Sequence, residues 1–581
     1  MKLDGRFQNY GLRSLRQDAT AGLIVGIVAI PLGMAFAIAS GVKPEYGLFT
    51  VIIAGICVSL FGGSRFQIGG PTGAFVPVLF AIVLQYGYEN LLLAGFMAGV
   101  LLLLMGLLRL GKWIAFIPRP VTVGFTAGIA VTIFAGQIAN FLGLRDLKKH
   151  EAFLPNMKEL ALHLGDTSGY SLLTAGICLT FILLAPRLLP GVPGSLAGLL
   201  AATAAASLFY PGHVATIGTA YGAIPNSLPA IHWPALSLDR IVELIRPALV
   251  IALLGGIESL LSAVVADGMA GTRHNSNREL IGQGIANMAA PLFGGIPATG
   301  AIARTATNIK CGAVSPLSGV IHGIVVLLVL FLLAPYASAI PLAAMAPILM
   351  VVAWNMSERR AFARLLKTGG LEAIVPAATF LLTVLMDLTT AVEAGLVLSG
   401  LIFIVRMSGA MTTVRLLPEP PGAGETATAT EAETAGREPH TGRIGAVAVE
   451  GALFFGSAHR LERMLREEID AGRDVLILDA GRVPYIDATG EACLAAALKP
   501  FAHNGGIVLV AGLPPQPSRV LARPEWERLV APGRRFARVD EAFAYAQAWQ
   551  AGAGSARGRS GEQPAARAAS AVSAAAGEVE A

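Results

Sequence analysis

The chain has 581 residues, 54% hydrophobic and only 14% charged, with a formal net charge of +5. A soluble protein carries about a quarter charged residues, and the mean hydropathy is +0.64, so a soluble enzyme is excluded and a polytopic membrane protein is indicated. The mild basicity fits loop charges rather than nucleic acid binding, and the four scattered cysteines (Cys57, Cys178, Cys311, Cys493), with no CxxC, argue against a disulfide framework or a zinc site.

In chain order, hydropathy predicts fourteen apolar segments: 19–40, 44–62, 70–86, 91–109, 120–143, 170–187, 193–210, 244–266, 280–292, 298–310, 314–335, 339–355, 370–386 and 390–408. Many are long enough to cross a hydrocarbon core of about 30 Å, but 70–86, 280–292 and 298–310 are doubtful as full spans. The first is too long for a signal-peptide core and lacks a cleavage pattern. With residues 1–18 cytoplasmic, the inside loops collect Arg65, Arg109, Lys112, Arg119, Arg187, Arg273, Arg278, Arg359, Arg360, Arg364 and Lys367, as the positive-inside rule asks. The loop with Arg145, Lys148 and Lys149 is an exception.

The organisation read from this is a cytoplasmic N-terminus (1–18), a transmembrane domain (19–410), a linker (411–440), a small α/β domain (441–550) and a tail (551–581). The linker is rich in Pro, Gly, Ala, Thr and Glu and has little to bury. In the α/β domain, "RIGAVAVEGALFFG" reads as a strand pair, "AHRLERMLREEIDAG" as an amphipathic helix and "DVLILDA" as a buried strand. "ATGEACLAAALKPFAHNG" then reads as a second helix and "GIVLVAG" as a further strand. The Ala/Gly/Ser/Arg-rich tail is expected to be disordered.

One stretch recurs. "GGPTGA" begins at Gly69 and "GGIPATGA" at Gly294, and the two Thr-Gly-Ala triplets are 227 residues apart. About forty residues before each lies a Gly-rich apolar segment with one anomaly, Pro31 in the first and Glu258 in the second, also 227 apart. Order and spacing point to an internal repeat. With seven segments per copy the second must be inverted, which is a signature of secondary transporters with broken helices at the midplane. The apolar run after Gly73 spans only about 16 Å of helix, so the Gly/Pro section is an extended approach to a helix starting in mid-membrane. Glycines there, Gly73 among them, let a ligand come close to the backbone. The free N–H groups of two such starts make an anion site. The plainer alternative is a pair of packing kinks.

Glu258 is the only charge between Pro247 and Ala266. An ionisable group at that depth is a functional candidate, and burial favours a protonated carboxyl, which makes Glu258 the proton-coupling candidate. Ser262, one turn on, shares its face. Arg304, one turn into the second half-helix, is placed to pair with an anionic substrate or with Glu258; a snorkel to solvent is the alternative. Thr72, Thr299 and Thr305 are candidate hydroxyl donors. Phe36 is a candidate to pack against the ligand, an ordinary core aromatic being the other reading. His322 reads as packed, Asp18 and Asp267 as caps or interface residues, and Asp387 and Glu393 as boundary residues.

The segments "DATAGLIVGIVAIPLGMAFAIASGVKPEYGLFT", "GGSRFQIGGPTGAF", "GGIESLLSAVVADGMAGT" and "GAIARTATNIKCGAVSPLSG" resemble the SulP anion transporter family, solute carrier 26. Residues 441–550, with "VPYIDATG", resemble its cytoplasmic STAS domain. The resemblance implies two inverted seven-segment repeats, with helices 1–4 and 8–11 forming a core and 5–7 and 12–14 a gate, and substrate held between the starts of helices 3 and 10. By position it implies a site of Phe36, Thr72, Glu258, Ser262, Ala303 and Arg304. It also implies a homodimer in the plasma (bacterial inner) membrane with the N-terminus and STAS domain cytoplasmic, and an elevator-like movement. Leu32 and Ala303 depart from the pattern of the animal members and speak against chloride or halide exchange. The segments around Glu258 and "VVAWNMSE" are most similar to the enterobacterial C4-dicarboxylate subgroup, which directs the expectation toward succinate, fumarate or aspartate, with sulfate and bicarbonate open.

The expected activity is therefore proton-coupled uptake of C4-dicarboxylates or sulfate. The alternatives are sodium-coupled bicarbonate transport, anion exchange, or a membrane sensor signalling through STAS to a cytoplasmic partner. No cofactor, metal or catalytic constellation is expected, and without a Walker motif ATP is not the direct energy source. Thr489 is a candidate regulatory phosphorylation site, with helix capping as the alternative.

Overall fold

The computed structural model describes residues 6, 10–114, 118–144, 147–148, 150, 152–188, 192–233, 237–386, 388–416 and 443–556. Arg145, Lys149 and Asp387, most of the segment read as linker (417–440) and the tail beyond 556 lie outside them. The chain forms two compact units, 1–399 and 400–581.

Each of the fourteen apolar segments contains a helix. They are α1 (Leu12–Ala39), α2 (Pro44–Phe61), α3 (Val76–Tyr86), α4 (Tyr88–Leu107), α5 (Arg119–Gly136), α6 (Gly169–Leu188) and α7 (Gly194–Phe209). The second seven are α8 (Leu238–Ala270), α9 (Ser276–Leu292), α10 (Ile302–Lys310), α11 (Leu317–Ala337), α12 (Leu342–Met356), α13 (Gly370–Leu385) and α14 (Leu388–Ala410). Among the described residues, eight helices are long and apolar enough to cross a membrane. Of the three doubtful segments two are short: α3 has 11 residues and α10 has 9, about 16 and 14 Å of helix, whereas 280–292 lies within the 17-residue α9. Each short one follows a two-residue strand, β1 (Gly69–Gly70) before α3 and β2 (Thr299–Gly300) before α10.

The packing repeats with the sequence. Exchanging the first seven helices for the second seven maps α4 on α9 to α11 on α2, α1 on α11 to α8 on α4, and α6 on α12 to α13 on α5, and all six contacts are present. The α4–α9 contact is close because Gly99 and Gly284 face each other; a Cβ on either would stand 2.8 Å from the other's carbonyl oxygen. Polar pins hold the helix ends. Asp18 of α1, fully buried, accepts from the Val314 and Ser315 N–H groups ahead of α11 at 2.8 and 3.1 Å. Glu279 of α9, also buried, accepts from Gly63 and Ser64 N–H at 2.8 and 3.1 Å.

The second unit carries a five-stranded sheet in the order β3 (Thr412–Arg415), β4 (Ile444–Glu450), β5 (Val475–Arg482), β6 (Ile507–Ala511), β7 (Arg535–Phe536). β3 is antiparallel to β4, and the other pairings are parallel. The alternation of the buried strands sorts two cores. Val447, Leu476, Leu478, Val508 and Val510 face α15 (Ala458–Asp470) and α16 (Ala488–His503). Ile444, Ala446, Ile477 and Leu509 face α17 (Val539–Ala556).

Two expectations change here. The predicted strand pair over 443–456 is one strand: Gly451, at φ 104°, ends β4, and Leu453 pairs only by a single bridge to Ile486. The first residues of the segment read as linker, 412–415, form β3.

Candidate functional site

Backbone that is not helical deep in a membrane protein must find its hydrogen bonds within the protein. Here the two broken stretches satisfy each other. β1 and β2 pair antiparallel, Gly69 opposite Gly300 and Gly70 opposite Thr299. Ala301 N–H donates to the Ile68 carbonyl at 2.8 Å, and Ile68 N–H donates to Thr305 Oγ1 at 3.0 Å. This brings together the starts of α3 and α10, the two positive helix ends expected from the repeat.

Arg304 lies at this junction, 3% exposed. Its Nη2 donates to the Pro71 carbonyl, and its Nη1 has no partner. The side chain does not snorkel outward. Gly70 makes room for it: at φ 148°, a Cβ on residue 70 would stand 2.6 Å from Arg304 Nη1. A buried guanidinium with an unmade donor is costly unless a ligand completes it.

On α8, Glu258 is half-buried and its Oε2 accepts from Thr72 Oγ1 at 2.9 Å. Arg304 and Glu258 thus engage adjacent residues, Pro71 and Thr72, of one extended segment. Among the described residues no ion pair joins the two. Glu258 and Thr72 keep an accessible side. Ser262 and Thr299 do not: both are fully buried. Ser262 Oγ donates to Thr305 Oγ1 at 3.3 Å. Thr299 Oγ1 lies 2.9 Å from Ser259 Oγ, which also accepts from Gly300 N–H at 3.0 Å. Their hydroxyls brace the frame, and that of Thr299 also lies within reach of the Glu258 carboxyl group.

Gly73 opens the 3-10 turn that leads into α3. A Cβ there would lie 3.0 Å from Met356 Sδ, 3.2 Å from Ile133 Cδ1 and 3.4 Å from Phe36 Cε1. Phe36 is therefore packed against the approach to α3, 4% exposed, while Ala303 is exposed at the first turn of α10. Sequence reasoning missed Ser259, Gln67 (whose Nε2 donates to the Ser259 carbonyl at 3.0 Å), Ile133 and Met356. Only Ser259, a polar residue beside Glu258, left a signal. His322 is fully buried with its ring against Gly55, as the packed reading expects.

A cavity of about 600 Å³ runs along α3 from Tyr86 at its end to Val76 at its start, lined also by Ile133, Val250, Arg246 and Glu243. Its inner end at Val76 and Ile133 adjoins Gly73. The arrangement can hold a small anion at a guanidinium and two helix starts, beside a carboxyl group able to take up or release a proton.

In the second unit Thr489 is exposed in the first turn of α16. The cap itself is Asp487, whose Oδ1 accepts from Gly490 N–H at 2.7 Å.

The profile described as the sulfate permease family matches residues 15–379, and that of the STAS domain matches 438–542. YvdB of Bacillus subtilis, which carries a provisional sulfate-transporter name, is 56% identical over 521 residues, 90% of this chain and 96% of that protein. The bicarbonate transporter BicA of Picosynechococcus is 30% identical over 542 residues, 91% of this chain and 94% of that protein. Among solved structures, murine solute carrier 26 member A9 in its inward-facing state superposes with a TM-score of 0.81 at 17% identity, covering 92% of each chain. That likeness bears on the fold alone.

Proposed function

Because this chain belongs to the sulfate permease (SulP, solute carrier 26) family of membrane anion transporters and carries its C-terminal STAS domain, we propose that it takes up a small oxyanion together with a proton, with sulfate as the first candidate. The observation that carries this reading is the junction of α3 and α10, where the buried Arg304 has an unmade Nη1 donor and Glu258 stands at the neighbouring residue. An anion completes the guanidinium and meets both helix starts. An ionised Glu258 beside it repels the anion, and a proton on Glu258 removes that repulsion, so anion and proton enter together. Thr72 orients the carboxyl group. Phe36, Gly73 and Ala303 shape the approach, and Ser262 and Thr299 hold the frame.

Sulfate comes first because of the likeness to YvdB, and bicarbonate second because of the likeness to BicA. The C4-dicarboxylate expectation rests on the segments around Glu258 and "VVAWNMSE" and is the third substrate to test. The β1–β2 tie favours an elevator-like step in which both half-helices move as one piece. A homodimer with the STAS domain on the cytoplasmic side completes the proposal.

The test is uptake of labelled sulfate, bicarbonate and succinate into proteoliposomes, with and without an inward proton gradient. Gradient-driven accumulation of one of them supports the reading and selects the substrate. Downhill exchange alone removes proton coupling, accumulation driven by sodium alone moves the coupling ion, and binding without flux favours a sensor.

A further inference from the structure

The connection between α12, which ends at Met356, and α13, which begins at Gly370, contains a single short helix, Arg359–Thr368, "RRAFARLLKT". Joined to a membrane helix at each end, it lies at a membrane face. Arg360, Arg364 and Lys367, spaced i, i+4 and i+7, share one side of it, and all three are exposed. The opposite side is apolar and packed: the Phe362 ring lies 5.2 Å from that of Phe380 on α13.

Arg359 adds a fourth cation. Its guanidinium sits 4.4 Å over the Trp354 ring and donates from Nη1 to the Trp354 carbonyl at 3.2 Å. Trp354 is 57% exposed in the last turn of α12, a position where membrane proteins place tryptophan at the headgroup level.

None of the four cations forms an ion pair among the described residues. Arg360 and Arg364 stand one turn apart, a like-charge spacing that destabilises a helix. Arg364 Nε donates to the Arg360 carbonyl at 3.2 Å, which holds the two guanidinium groups to the same side. Of the two acids that flank the helix in sequence, Glu372 lies in the first turn of α13, and Glu358 is exposed and turns the chain at φ 43°, an unfavourable backbone for an L residue. The segment therefore keeps four cations without an ion pair among the described residues, internal repulsion and a strained entry turn at a membrane face.

We infer that this helix is a docking site for the headgroups of anionic phospholipids. Guanidinium groups take phosphate oxygens in a forked geometry. An amphipathic helix with a basic face and an apolar face suits the boundary between headgroups and acyl chains. A cluster of cations next to a membrane helix is drawn to anionic lipid. Bound headgroups relieve the Arg360–Arg364 repulsion and fasten the α12–α13 pair to the charge of one leaflet.

The test uses the full-length protein released from bilayers of phosphatidylcholine and phosphatidylglycerol, with the retained lipid measured by native mass spectrometry. The wild type is expected to keep phosphatidylglycerol in preference to phosphatidylcholine. The triple variant Arg360→Gln, Arg364→Gln, Lys367→Gln should lose that preference severalfold. The triple variant Arg360→Lys, Arg364→Lys, Lys367→Arg keeps the charge and should retain the preference in weakened form, since an ammonium lacks the guanidinium fork. Equal retention by the Gln variant, or no preference in the wild type, overturns the inference. If the Gln variant does not fold, the wild type is washed with high salt, and phosphatidylglycerol that stays bound overturns it too. Displacement of the lipid by inorganic phosphate alone assigns the site to a free anion and overturns the headgroup assignment.

Discussion

Thr72 and Thr299 occupy equivalent places in the two repeats and reach neighbouring residues of α8. Thr72 bonds Glu258 at 2.9 Å, and Thr299 lies 2.9 Å from Ser259. Adjacent residues of a helix point about 100° apart; Thr72 meets Glu258 on its accessible side, while the buried Thr299 stands between Ser259 and the Glu258 carboxyl group. The helices after the two triplets diverge in the same sense. "FVPVLFAIVLQY" is apolar up to Gln85, while "IARTATNIK" buries Arg304, Thr305 and Asn308. The first copy contributes an open backbone and a free-sided hydroxyl; the second contributes the cation and the bracing. An internal repeat in a membrane protein can therefore keep its geometry while dividing the chemistry between its halves.

The sharpest break of this comparison is at Glu258. Glu258→Gln is expected to abolish proton-driven accumulation while the protein still folds and still moves anion downhill. Full accumulation in that variant, measured in proteoliposomes, would take Glu258 out of the mechanism. Next is Arg304→Ala, which should weaken substrate binding by about 1.5–3 kcal/mol, on the order of tenfold to a hundredfold in Kd. Gly70→Ala should act in the same direction without removing the charge, because the added Cβ would stand 2.6 Å from Arg304 Nη1. Calorimetric titration of the two variants checks both, and unchanged affinity in Gly70→Ala would show that Arg304 does not need its present position.

The threonines differ in depth, and their variants test that difference. Thr299→Val should lower stability by about 1–3 kcal/mol by removing a buried hydroxyl that lies between Ser259 and Glu258, with substrate affinity kept. Thr72→Val should leave stability within about 0.5 kcal/mol and alter coupling instead. Thermal unfolding read beside uptake decides, and the reverse assignment would dissolve the division between the copies. The smallest effect belongs outside both repeats. Asp487→Ala should cost the STAS domain about 0.5–2 kcal/mol through its lost cap and leave transport affinity unchanged.

Much of this is legible in the sequence. Hydropathy gives the segment positions, and matched order and spacing give the meeting of 69–74 with 294–301. Spacing gives the face of a helix but not the partner. Ser262 shares the face of Glu258, yet its hydroxyl goes to Thr305, whose oxygen already receives Ile68 N–H. The partner of Arg304 is a backbone carbonyl, Pro71, which no side-chain pattern announces. In the second unit the alternation of small and apolar residues continues past Gly451, so the pattern runs on beyond the point where the backbone leaves the strand. β3, four residues directly after a membrane helix, carries too little pattern to stand out from a linker.

The β1–β2 pair also bears on how such a chain is made. Ribosomes deliver the first repeat to the membrane long before Gly300 exists, and in that interval the backbone around Gly69 has no partner strand. Unmatched peptide groups in hydrocarbon cost several kcal/mol each. The seven N-terminal helices can therefore insert but cannot finish, and α3 takes its final form only when the second repeat arrives to close the pair. The membrane part is completed by a joining of its halves, and a chain split between α7 and α8 should regain its site only when both pieces are synthesised together.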